Sequence, residues 1–286
     1  MIACNLLKIL LLFDLTVPLR LPGTLFLQNL VERRTLLFQM VRRDFEQRFI
    51  GSTIGWIWAL IHPLVLLLSW TFVFEYCLGA KVPENEGTTS YPLWLFAGML
   101  PWLLFSEAVQ RSASCLIEQA NLITKTVFPS EMIPVSVFLS SLISHLLGVV
   151  LIVAAAGVVM NQISPFLVLL PVYFFLIGLL AVGLGWIVAS LHVFLRDTAQ
   201  IVAVVLLLWF WLTPIFISES QFPAKMRILV VSNPFYYLVR GYRKVLLAGA
   251  PPSVEDIAMV AACGTAAFVM GGLFFRHMKR GFADVL

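Results

Sequence analysis

The stretch ERRTLLFQMVRRDFEQRFIGSTIGWIWALIHP, residues 32–63, decides the fold. Its first half is basic and two-faced, and at Gly51-Ser52 it runs directly into an apolar segment. Laid out at about 100° per residue, residues 30–49 place Leu30, Leu37, Phe38, Val41, Phe45 and Phe49 on one arc. Glu32, Gln39, Arg42, Arg43, Glu46 and Gln47 fall outside that arc. This is the pattern of a helix lying in a membrane interface, its basic side toward headgroups and water. Arg34, Asp44 and Arg48 interrupt the apolar arc, so the two-faced character is imperfect at those three positions.

Composition agrees with the membrane setting. The 286 residues are 60% hydrophobic and only 12% charged, where a soluble domain carries about 25% charge. Mean hydropathy is +0.96. Several apolar runs reach the roughly 20 residues a helix needs to cross a bilayer, and the chain is expected to be an all-α integral membrane protein. Lys and Arg outnumber Asp and Glu by 19 to 15. In a membrane protein that excess is positive-inside bias and contact with anionic lipid, and nucleic acid is not expected as a partner. Cys4, Cys77, Cys115 and Cys263 show no metal-ligand or disulfide spacing.

Six spans are expected, near residues 54–76, 93–113, 135–160, 166–191, 200–217 and 257–275. Residues 1–28 form an N-terminal extension. They resemble a short signal peptide, but Asp14 interrupts the apolar core and no small-residue cleavage site follows, so an uncleaved peripheral segment is expected. Residues 29–50 are the interface helix, and residues 51–286 hold the six-span domain. The first span contains His62-Pro63, a kink signal. In the second, Glu107 and Arg111 stand at i and i+4 and are expected to neutralise each other. Residues 117–128 read as a short helix and turn able to dock a partner, closed by Pro129. Gly178, Gly183 and Gly185 in the fourth span permit close helix approach.

Residues 218–250 are longer than a turn and hold two apolar patches of about ten residues, split at Asn233-Pro234. Each is too short to cross, as re-entrant or interfacial segments are. An even number of spans puts both termini on one side. Thirteen of the 19 Lys and Arg then fall on the terminal side, which makes it cytoplasmic.

Three stretches carry a family resemblance. They are RRDFEQRFIGSTIGWIWALIHPL (residues 42–64), YPLWLFAGMLPWLLFSEAV with NLITKTVFPSEMIP (residues 91–134), and LRDTAQIV, LTPIFI and NPFYYLVRGYRKVLLAG (residues 195–249). In order and kind they resemble the membrane subunit of polysaccharide-export ABC transporters, the O-antigen and teichoic-acid branch more than the capsule branch. The resemblance implies a homodimer in the bacterial inner membrane, joined by two copies of a cytoplasmic ATPase that binds ATP and magnesium. The chain itself shows no G-x-x-x-x-G-K-[ST] phosphate loop. It is therefore expected to be a transport subunit that binds no cofactor, and not an enzyme. The implied cargo is a polysaccharide on undecaprenyl pyrophosphate.

That cargo has a dianionic head, which needs cations near the inner interface. Arg34, Arg42, Arg43 and Arg48 are the candidates, because guanidinium forks suit phosphate oxygens. The glycan needs stacking surfaces, for which Trp56, Trp58, Trp70, Phe72 and Tyr76 in the first span and Trp209, Phe210 and Trp211 in the fifth are candidates. Phe235, Tyr236, Tyr237, Arg240 and Arg243 are assigned to the outer mouth. Glu118, Asn121, Lys125 and Phe128, with Arg196 and Asp197 in the next inner loop, are expected to contact the ATPase. Alternatives are a drug or lipid permease and a membrane glycan polymerase. A polymerase needs paired catalytic carboxylates, and Glu84, Glu86, Glu219, Glu255 and Asp256 form no such constellation in the sequence.

Overall fold

A computed structural model describes residues 32–286, apart from residues 49, 51, 85, 126, 127 and 224 and the side chains of residues 125, 220, 283 and 284. The N-terminal extension, Leu30 and Phe49 of the expected apolar arc, and the Lys125 side chain therefore lie outside the described residues. Helix α1 spans Arg34–Gln47, α2 Trp58–Thr71, α3 Tyr91–Glu118, α4 Ala120–Lys125 and α5 Met132–Met160. Then come α6 at Leu170–Phe194, α7 at Thr198–Trp211, α8 at Arg227–Val231, α9 at Pro234–Arg243, α10 at Val254–Met278 and α11 at Phe282–Val285. No strand occurs among the described residues.

Five helical stretches among the described residues are long and apolar enough to cross a membrane. They are Gly55–Cys77, which contains α2, and then Tyr91–Glu118, Met132–Met160, Pro165–Phe194 and Val254–Gly281. The fifth expected span differs. Helix α7 has 14 residues and so extends roughly 21 Å, short of the ~30 Å hydrocarbon core. It ends at Trp211, and not at residue 217 as expected, because Pro214 has no amide hydrogen and disfavours helical geometry at the residue before it. Thr213 turns its hydroxyl back to the Trp209 carbonyl at 2.9 Å.

The centre of the bundle is α3, whose apolar length is buried on nearly every side, with α5, α6, α7 and α9 packed around it and α10 packed on the far side of α6. Helices α6 and α10 cross at backbone contact. A Cβ on Gly271 would fall against the Gly183 carbonyl, and one on Gly183 against the Ala267 backbone. Small residues permit this approach where lipid tails supply no hydrophobic drive between helices. Gly178 faces the Phe138 ring and Gly185 faces Ser112.

Helix α1 lies on α5. Leu37 is buried, and Leu36, Met40 and Val41 pack against the core. Asp44 and Arg48 continue the same face at helical spacing, so they belong to the packed side and do not interrupt a lipid-facing one. Phe38, placed on the apolar arc by the sequence, is 69% exposed.

The segment after α7 folds as two short helices broken at Ser232-Asn233. The break is built by Asn233. Its side-chain oxygen accepts from the Phe235 amide at 2.9 Å and from the Trp209 indole at 2.8 Å, and its amide donates to Thr213 at 3.0 Å. Pro234 follows at the first helical position, where its missing donor costs nothing. One residue therefore caps α9 and ties it to the end of α7.

Candidate functional site: a cleft between four helices

Helices α2, α3, α5 and α7 line an open cleft of about 670 Å³. Its polarity is graded. At one end stand Arg48, Trp58, Ser106, Glu107, Gln110, Ser141 and Ser144, and at the other Trp70, Leu100, Trp102, Gly148 and Phe210. Helix α3 runs opposite to α2, α5 and α7, so lower numbers on those three and higher numbers on α3 lie at the polar end. Pro63 also lines the cavity, with Ala59 one turn earlier. Proline leaves that turn without its hydrogen bond.

The polar end is built by two ion pairs that dock α1. Arg111 Nη2 reaches both carboxylate oxygens of Asp44, at 2.7 and 2.8 Å. Arg48 Nη1 reaches Glu107 at 2.5 Å and Ser144 at 3.2 Å, and its Nη2 reaches Ser141 at 3.0 Å and Asp44 at 3.5 Å. The expected Glu107–Arg111 pair is thus corrected: both residues are paired to the interface helix. The i,i+4 geometry is real, but α1 presents opposite charges at the same spacing, and two interhelical pairs take all four charges, with Arg48 Nε and Arg111 Nη1 left buried without an acceptor. Burial lowers the Arg48 pKa from its ordinary value, and the Glu107 carboxylate works against that shift; a guanidinium remains a cation regardless.

The pairs predict a charge-swap result. Arg111→Asp alone replaces the ion pair with two facing carboxylates and is expected to undock α1 and abolish transport. Adding Asp44→Arg restores complementarity, and most transport is expected to return. Disulfide trapping between cysteines on α1 and α5 reads the docking directly, and equal defects in single and double variants would refute it.

The other cationic candidates are placed apart from the cavity. Arg34, Arg42 and Arg43 are exposed, and Arg42 pairs with Glu46 at 2.7 Å. Among the aromatic candidates, Trp58, Trp70 and Phe210 line the cavity. Trp56, Phe72, Tyr76 and Trp211 are exposed on the outside of the chain. Trp209 is held by Asn233 and by edge-on contacts with Phe105 and Phe235 at 5.3 and 5.5 Å.

Three of the residues assigned to the outer mouth are buried. Phe235 is fully buried, 5.1 Å from Trp102 and 4.4 Å from Phe105 between ring centroids. Tyr236 is buried and accepts from Arg240 at 2.8 Å. Arg243 is buried over the Trp94 ring at 3.5 Å. It donates to the carbonyls of Trp94, Pro214 and Ile215 at 3.2, 3.1 and 2.7 Å. The chain beyond α7 leaves carbonyls without helical partners, and a guanidinium is the side chain with enough donors to take several at once. Tyr91 takes the next, donating to the Phe216 carbonyl at 2.9 Å. Tyr237 and Arg240 are half-buried; Arg240 is bonded to Asp256, which holds its pKa above the ordinary value.

At the α1 end of the bundle, Glu118 at the end of α3 and Asn121 in α4 are exposed, and Arg196 and Asp197 are exposed between α6 and α7. Phe128 is half-buried against the core. Helix α11 packs on α4, and Lys279 bonds Glu131 at 2.6 Å just beyond it.

The serines of the polar wall were the residues missed by reading the sequence. Ser141, Ser144, His145 and Gly148 form a polar and small stripe at helical spacing within an apolar helix. That stripe was the available signal.

A bundle of long apolar helices with a docked N-terminal helix and a cleft opening beside it defines a membrane transport subunit. The chain belongs to the ABC-2 type transporter family, whose model matches residues 35–247. It is 26% identical over 259 residues to an O-antigen export system permease protein of Myxococcus xanthus, covering 90% of this chain and 97% of that one. A Klebsiella pneumoniae protein of the same description is 26% identical over 252 residues, covering 88% and 95%. A polysialic acid transport protein of Escherichia coli is 24% identical over 210 residues, covering 72% and 79%.

Proposed function

We propose that this chain is the permease subunit of an ATP-driven exporter for a polysaccharide carried on undecaprenyl pyrophosphate, of the O-antigen kind. The observation that carries the reading is the graded cleft. A cation and hydroxyls stand at the end beside the interface helix, and indole and phenyl rings stand further along. An amphiphile with an anionic head and a sugar chain needs that order of surfaces, and the O-antigen export function of the relatives points the same way. Arg48 takes the headgroup from among the four arginines, because it is the one that lines the cleft.

Two copies of the chain work together, with α2 and α7 turned toward the shared path. The span Gly55–Cys77 that contains α2 exposes Trp56, Phe72 and Tyr76, and α7 exposes Trp211. Residues 212–217 complete the fifth of six crossings, begun by α7, and α8 and α9 are re-entrant from the outer side. Both termini are cytoplasmic. The ATPase, a separate chain that supplies ATP and magnesium chemistry, docks on Glu118 and Asn121 of the α4 region and on Arg196 and Asp197. Capsule export is the second reading, favoured by the likeness to the polysialic acid protein.

Depletion of the chain tests this. Lipid-linked polysaccharide is expected to accumulate on the cytoplasmic side of the inner membrane, identified by mass spectrometry. Unchanged lipid-linked glycan, with an unrelated lipid or drug retained, would contradict it.

A further inference from the structure

The two ion pairs at the polar end are not equivalent. Asp44 is the more buried carboxylate, its side chain 14% exposed, and Arg111 meets both its oxygens. Glu107 is 37% exposed, lines the cleft, and meets Arg48 through one oxygen, which also accepts from Ser141 at 3.1 Å. Releasing Glu107 into the cleft leaves α1 docked through Asp44 and Arg111. It also leaves Arg48 facing the cleft between two hydroxyls that phosphate oxygens can use.

We propose that Glu107 is an exchangeable counter-ion, holding Arg48 in the empty transporter and yielding it to the phosphate of an isoprenoid pyrophosphate. This role presupposes that Arg48 receives the headgroup. It adds that Glu107 competes for the site and sets its selectivity. A buried guanidinium without an anion is costly, so the internal carboxylate keeps the empty site neutral. An incoming anion must then outbid it, which a dianionic pyrophosphate does better than a singly charged phosphodiester.

The test measures binding of geranylgeranyl pyrophosphate to the full-length protein in zwitterionic nanodiscs. Geranylgeraniol serves as the headless probe and inorganic pyrophosphate as the tailless one. Glu107→Gln keeps an acceptor for Arg48 and Ser141 and so preserves assembly. It is expected to bind the probe about tenfold more tightly, which corresponds to about 1.4 kcal/mol for one displaced ion pair. Arg48→Gln is expected to lose binding, and Glu107→Gln is expected to add nothing to it. If Arg48→Gln assembles poorly, Arg48→Lys keeps the charge without the fork, and its expected result is weaker binding with assembly retained.

Unchanged or weaker binding in Glu107→Gln, with Arg48→Gln still defective, would overturn the exchange and leave the headgroup assignment standing. Undiminished binding in both Arg48 variants would overturn the assignment and the exchange with it. If nanodiscs containing phosphatidylglycerol abolish the difference between wild type and Glu107→Gln, the site belongs to ordinary anionic lipid and the proposal fails. Equal binding of inorganic pyrophosphate would place recognition in the head alone and support the exchange, whereas binding of geranylgeraniol that matches the pyrophosphate would refute it.

Discussion

Arg243→Leu is expected to be among the most damaging single substitutions in the chain. The guanidinium is buried and donates to three carbonyls at and around the broken end of α7. Removing it strands those acceptors, each costing about 1–3 kcal/mol, and gives up the contact with the Trp94 ring. The expected loss is on the order of 3–5 kcal/mol, as when one partner of a buried charged network is deleted. Arg243→Lys keeps the charge but has neither the planar fork nor the five donors, so it is expected to rescue only partly. Gly98 belongs to the same site, because a Cβ there would lie 2.6 Å from Arg243 Nη2. Gly98→Val should therefore resemble the arginine loss. Thermal melting of the detergent-purified protein checks the series, and a Leu variant melting with wild type would refute the capping role.

Gly271→Val is the second. Its Cβ would fall against the backbone carbonyl of Gly183, where no side-chain rotation gives relief. Either α6 and α10 separate or the chain fails to assemble, at about 3 kcal/mol or more, the upper range for overpacking. The neighbouring Gly272→Ala is the control. Its Cβ meets the Trp186 ring at 3.4 Å, an ordinary contact, and near-normal melting and export are expected. Cysteine crosslinking across the α6–α10 crossing distinguishes the two. Efficient crosslinking and normal melting in Gly271→Val would show that the crossing is not set by backbone contact.

Both sites show what the sequence makes legible. Long apolar runs name the spans, because bilayer thickness dictates their length, and α3, α5, α6 and α10 fall close to the expected ranges. Asn233-Pro234 names the break between α8 and α9, because a cap followed by proline is a local signal. Partners across the fold are different. Glu107 and Arg111 offered a local pairing, and only the docking of α1 reveals that Asp44 and Arg48 take them instead. Arg243 beside tyrosines suggested a mouth, and its burial follows from carbonyls 28, 29 and 149 residues away in sequence that need a donor. The early end of α7 was signalled by Pro214, but the apolar run through residue 217 outweighed it. Of the cleft, Arg48, Trp58, Trp70 and Phe210 were legible by residue type. Ser141, Ser144 and Gln110 had no charge or ring to mark them.

The central claim is that this chain provides the membrane path for a lipid-linked polysaccharide driven by a separate ATPase. Reconstitution tests it most directly. The chain is co-reconstituted in proteoliposomes with its partner ATPase, and the lipid-linked glycan is extracted from the host and incorporated. A membrane-impermeant glycosidase or lectin then reports the glycan on the far side. The account predicts ATP-dependent appearance of the glycan there, lost in Arg48→Gln and retained in Gly272→Ala. ATP hydrolysis that proceeds without any movement of the glycan, or movement undiminished in Arg48→Gln, would contradict it.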